Sequence, residues 1–127
     1  MVMRSVVENI LSTYENTSEG NWLTQFNWRA VKVKAMPFVK PGLIMAMYVG
    51  PFNTVWLEDL TIASDPFNIW ATDVIHEFYH AYQYHTMGPI KYLFTKVFNR
   101  KKLEEDAVNA SLTWLNKDIE VEQWIIK

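Results

Sequence analysis

The stretch Asp73-Val74-Ile75-His76-Glu77-Phe78-Tyr79-His80-Ala81-Tyr82-Gln83 constrains this chain more than any other. Its centre reads His-Glu-x-x-His. On a helix, side chains at i and i+4 stand one turn apart on one face, so His76 and His80 can present two imidazole nitrogens to one metal ion. Glu77 follows the first histidine, where a carboxylate can reach a metal-activated water without ligating the metal and take its proton as general base. The competing reading is an ordinary amphipathic helix whose histidines are surface or core residues.

The flanks fit a helix. Asp65-Pro66 is a good start, because aspartate caps free backbone amides and proline is tolerated at the first helical position; a start nearer Thr72 is the alternative. Trp70, Val74, Phe78 and Ala81 would then face a core, with the metal pair rotated away from them, and Gly88-Pro89 would end the helix. His85 lies five residues beyond His80, about 140° round the helix, and so belongs to an interface rather than to the same metal.

Two imidazoles leave a catalytic metal short of a ligand. Cysteine is absent and His85 is misplaced, so the third donor is expected to be a carboxylate. The run Glu104-Glu105-Asp106 opens a last helix over Leu103 to Leu115. Glu104 shares its side with Ala107, Val108, Ser111 and Leu115, a small or apolar face where a carboxylate is costly unless it meets a cation. Glu105 is the second choice, and both also suit the helix dipole as first-turn acids. Small residues at Ala107, Ala110 and Ser111 allow this helix close to the motif helix.

Elsewhere the pattern predicts a mixed α and β chain. Val2, Val6, Val7, Ile10, Leu11 and Tyr14 recur at helical spacing, and Asn16 to Asn21 reads as a polar loop. Trp28 to Ala35 alternates with Arg29, Lys32 and Lys34, as a half-exposed strand with solvated lysines. Leu43 to Val49 reads as a strand buried on both faces, and Thr54 to Leu60 as a third strand, separated by turns at Pro41-Gly42 and Gly50 to Asn53. Tyr92, Phe94, Val97 and Phe98 suggest a short helix after Pro89, followed by a polar, basic joint at Asn99 to Lys102; Ile119 to Lys127 fits strand or helix.

The 127 residues suit one domain, and 50% hydrophobic residues with six Trp supply a core. A formal net charge of -2 gives no overall attraction to nucleic acid or to a membrane. Arg4 and then Ser5 to Leu11, broken by Glu8 and Asn9, form neither a secretory leader core nor a membrane span, so a cytoplasmic location is expected.

The arrangement resembles the gluzincins, zinc peptidases in which a His-Glu-x-x-His helix and a glutamate on a following helix hold the metal. His76 to Gln83 is similar to the His-Glu-x-x-His-x-x-Gln form of small bacterial and phage-encoded metallopeptidases, and Leu103-Glu104-Glu105-Asp106-Ala107 resembles their Glu-x-x-Ala helix. The ImmA/IrrE type shares this layout with Glu-x-Glu-Ala-Asn. Here Asp106 stands for the second Glu and Val108 for the Asn, which leaves Asn109 or Asp73 as substitute partners for a ligating histidine. The likeness covers roughly Thr54 to Ser111.

The resemblance implies an α+β zincin-like single domain over 1–127, with an N-terminal helix, about three strands, the motif helix and a C-terminal helix bearing the third ligand. It implies Zn2+ on His76, His80 and Glu104, Glu77 as catalytic base, and a peptide or protein substrate paired along Thr54 to Leu60 as an edge strand, with Trp56 lining the substrate pocket or filling the core. Tyr84, His85 and Tyr92 lie within reach as oxyanion donors or as packing residues. The rival expectation is a non-catalytic, zinc-stabilised binding or assembly module.

Overall fold

A computed structural model describes residues 2–36, 46–58 and 67–115. Among the described residues four helices and a small mixed sheet form the α+β layout expected. Helix α1 spans Val2–Glu15, α2 Phe67–Met87, α3 Pro89–Phe98 and α4 Arg100–Leu115; the strands are β1 Lys32–Ala35, β2 Ala46–Val49 and β3 Thr54–Leu57. Among the described residues no helix is long and apolar enough to cross a membrane.

The core gathers around α2. Val74, Ile75, Phe78 and Ala81 are fully buried, and they meet Val7, Ile10 and Leu11 of α1 and Val55 and Leu57 of β3. Each large apolar side chain so buried contributes about 1.5–3 kcal/mol. Helix α4 packs along α2 more extensively than any other element, as its small residues allow: Ala107 and Ser111 are buried against it. The Tyr14 hydroxyl ties α1 to α4 by donating to the Ala110 carbonyl at 2.9 Å, and it also bonds the Thr113 hydroxyl.

Helix α2 is already formed at Phe67, so a start near Thr72 is excluded; the Thr72 hydroxyl donates to the Ile69 carbonyl at 2.6 Å within the helix. Asp65 and Pro66 lie outside the described residues, as do 37–45 and 59–66 with the turn at Pro41-Gly42, and 116–127 with the stretch from Ile119. The stop is as expected. Gly88, at φ 86°, occupies backbone space that a side chain would strain, and Pro89 opens α3.

Three strand expectations are corrected. Trp28 to Ala30 forms a 3₁₀ turn and only Lys32–Ala35 is strand, because Trp28 turns inward to pack edge-on against Phe78 and to donate its indole N–H to Glu15 at 2.7 Å. The described part of the second strand, Ala46–Val49, is not buried on both faces: Tyr48 is buried while Met47 is 39% exposed.

The third correction matters most for the site. The strand order is β1-β3-β2, with β1 parallel and β2 antiparallel to β3, so the described part of Thr54 to Leu60 is central rather than an edge. Its backbone groups are spent on two neighbours, and strand addition there is impossible. Among the described residues the edges are β1 and β2. Trp56 lies half-buried on the other face of β3 from Val55 and Leu57, with the Lys34 ammonium 5.6 Å from its ring centroid, and lines no cavity that holds a site residue. The lysines of β1 are solvated, as expected.

Gly50 opens the turn between β2 and β3 because the Tyr84 ring lies against it. A Cβ at Gly50 would fall 2.4 Å from that ring, which itself packs on Tyr48 and Tyr92. Gly50→Ala is expected to lower stability by about 1–3 kcal/mol in thermal or urea unfolding. Gly88→Ala meets no atom and would cost only its backbone strain, about 1–3 kcal/mol at φ 86° and ψ 159°.

Candidate metal centre

The helical spacing of four does what the sequence requires of it. His76 and His80 point from one face of α2 toward α4, and Glu104, in the second turn of α4, reaches back to both. His76 Nε2 and His80 Nε2 are 3.2 Å apart, Glu104 Oε2 is 3.2 Å from His76 Nε2, and Glu104 Oε1 is 3.0 Å from His80 Nε2. These three residues form a group able to hold a metal ion. Donor atoms about 2.0–2.1 Å from a tetrahedral ion stand about 3.3–3.4 Å from one another; the two imidazole nitrogens meet that spacing, and the two oxygens of Glu104 each meet it toward one of them, with one donor atom per residue lying within 4.8 Å of the others.

The tautomer of His80 decides the electrostatics. Gln83 donates its amide to the Leu103 carbonyl at 3.1 Å, which turns its own oxygen toward His80 Nδ1 at 2.8 Å. An amide oxygen only accepts, so Nδ1 carries the proton and the neutral ring turns its Nε2 lone pair into the cluster. Burial lowers the His80 pKa and keeps the ring neutral, against the Gln83 bond and the Glu104 charge. A lone pair facing a carboxylate oxygen at 3.0 Å is repulsive without a cation between them. The donor set therefore fits a metal ion.

Gln83 fills the orienting role for which Asn109 and Asp73 were the candidates. It stands three residues beyond His80, inside the eight-residue match, and its spacing was the available signal. Asn109 is exposed on α4. Glu105 is exposed and pairs with Lys101 at 3.8 Å, so the structure brings Glu104, not Glu105, to the histidines. Val108, expected on the packed side of Glu104, is 42% exposed.

Glu77 is 8% exposed and lies in the wall of the same cavity, with Oε2 3.9 Å from His76 Nε2. It stands outside the three-donor group. Burial, then the charges of Glu104 and Asp73, push its pKa up to about 8, while a hydrogen bond from the Tyr48 backbone N–H and the Lys96 charge pull the other way.

The cavity is about 180 Å³, enough for an ion, a water and a few substrate atoms, and a longer ligand must lie across its mouth. Ala46, Met47 and Tyr48 of β2 form one wall; Tyr92, Lys96 and Arg100 form the other. Burial pushes the Tyr92 phenol up to about 12, with Glu77 and Glu104 adding to the shift, so it stays a proton donor. Lys96 and Arg100 were not singled out from the sequence, although Tyr92, Lys96 and Arg100 recur every four residues. Tyr84 packs against Tyr48 and Tyr92, and His85 bonds the Asn53 side chain at 3.1 Å, so neither lines this cavity.

Comparisons with protein-family models, with curated proteins and with solved structures return no match to this chain. The metal centre thus stands on its own geometry. His80→Ala is expected to abolish stoichiometric binding of a divalent metal, and Gln83→Leu to weaken it about 10- to 100-fold by freeing the ring, read by competition with a chelating dye. Metal at about 100 times its Kd should stabilise the wild-type protein by about 2.7 kcal/mol and leave His80→Ala unmoved.

Proposed function

We propose that this protein is a zinc-dependent peptidase. Zinc is inferred from the donor types, two imidazoles and one carboxylate, a set that also accepts iron or manganese. The observation that carries the reading is the position of Glu77: buried, 3.9 Å from His76 Nε2, and in the wall of the cavity onto which the three donor atoms converge, without being one of them. A structural metal site has no use for a fourth, costly carboxylate at that place.

When bound, the metal supplies Lewis acidity, lowering the pKa of a water and polarising a scissile carbonyl. Glu77 takes the proton released as the water attacks, and passes it to the leaving amine. Tyr92 donates its phenolic proton in a hydrogen bond to the developing oxyanion, a role its high pKa suits. The free edge of β2, rather than β3, receives an extended peptide along the mouth of the cavity. Lys96 and Arg100, on the opposite wall, favour a substrate carrying negative charge there.

Glu77→Gln is the decisive variant. It preserves shape and leaves His76, His80 and Glu104 intact, so it should keep one equivalent of metal and lose about 10²- to 10⁴-fold in peptide hydrolysis, measured on a quenched-fluorescent peptide library. Metallated wild-type protein with no hydrolysis above the Glu77→Gln background would assign the ion to folding or binding instead.

A further inference from the structure

Helix α3 is amphipathic the wrong way round for a helix packed only on its own chain. Ile90, Leu93, Phe94, Val97 and Phe98 are between 62% and 81% exposed, whereas the side turned to the protein holds Tyr92, with Thr95 partly covered. At 100° per residue the five apolar side chains fill an outward arc of roughly 140°. Lys91 and Lys96 fall on the two shoulders of that arc. Single exposed apolar residues are ordinary, but a continuous outward stripe marks an interaction surface.

Charge says what kind of surface covers it. Gly88 to Leu103 holds Lys91, Lys96, Arg100, Lys101 and Lys102, five of the chain's 12 cations and none of its 14 acids. Among the described residues Lys91, Lys96 and Arg100 form no ion pair. Lys101 and Lys102 pair with Glu105 and Asp106 on α4, so the cations left to this face are Lys91, Lys96 and Arg100, an excess that the net charge of -2 conceals. A second copy docking on the same face would set these cations against each other. An apolar arc with lysines on its shoulders, able to keep their ammonium groups in the headgroup layer, is the pattern of a helix lying in a membrane interface.

We propose that α3 is an interfacial anchor that docks this protein on an anionic lipid bilayer, with Ile90, Leu93, Phe94, Val97 and Phe98 in the acyl boundary and Lys91, Lys96 and Arg100 on lipid phosphates. The anchor lies on the surface and does not span it: α3 has ten residues. Lys96 and Arg100 also line the metal cavity, so docking brings the mouth of that cavity to the lipid surface. The inference is independent of whether the metal centre is catalytic.

The test is co-sedimentation of the full chain with phosphatidylcholine vesicles containing about 30% phosphatidylserine, beside vesicles of phosphatidylcholine alone. Binding to the anionic vesicles is expected, falling steeply when salt rises from about 0.1 to about 0.5 M. Phe94→Glu should weaken it at least about tenfold, and Lys91→Gln with Lys96→Gln about 10- to 30-fold, while circular dichroism shows each variant folded. Sedimentation with neither vesicle, or equally with both, would overturn the proposal. So would a dimer in light scattering that Phe94→Glu splits, which would make a second copy the partner. A fall of several degrees in the melting temperature of lipid-free Phe94→Glu would also overturn it, by showing the stripe covered by this chain's own residues.

Discussion

Burial of α2 on opposing sides is the constraint from which the rest of the structure follows. Trp70, Val74, Ile75, Phe78 and Ala81 are locked into the core, and α4 closes the flank that carries His76 and His80. The helix cannot rotate to relieve its polar groups. Raising the Glu77 pKa from 4.5 to about 8 means a cost on the order of 5 kcal/mol for the ionised group at high pH. Apolar contacts on the same helix, at about 1.5–3 kcal/mol for each large side chain, are sufficient to hold it there. The core thus offsets the cost of a polarised site within the helix at its centre.

The order of the sheet explains why β2 rather than β3 walls the cavity. Adjacent strands in the sequence pair antiparallel through the short turn at Gly50–Phe52, which places β2 against β3. The other edge of β3 is taken by β1 in a parallel register, Lys32 opposite Thr54 and Ala35 opposite Leu57. Tyr48 then stands at the junction of three functions: its ring packs on Tyr84, its hydroxyl donates to Asn53, and its backbone N–H holds Glu77.

What was legible in the sequence was local. His76, Glu77 and His80 follow from helical spacing, and Glu104 from the conflict between a carboxylate and a packed face; the structure brings these four together. The position of β3 was not legible, because the pairing of Lys32–Ala35 with Thr54–Leu57 joins residues some twenty apart by backbone bonds that no side-chain pattern records. The 3₁₀ turn at Trp28 escaped for a related reason: alternation of apolar and polar residues persists across it, and only the destination of the indole, between Glu15 and Phe78, bends the chain. Gln83 was written in the motif, but its use depends on Leu103, a residue on another helix.

The same logic separates the cations from the metal as partners for the acids. Glu77, Glu104 and Asp73 place three carboxyl groups in mutual electrostatic reach, and Lys96 is felt at Glu77 as Arg100 is at Tyr92. Both basic side chains are largely exposed, so solvent screens them, and neither forms an ion pair with Glu77 or Glu104 among the described residues. They lower the field at the cavity without neutralising it. A dication held by His76, His80 and Glu104 would satisfy the His80 lone pair, which pairs with no ammonium among the described residues. The long basic side chains are left for what exposed cations do well, which is to attract charge across a surface.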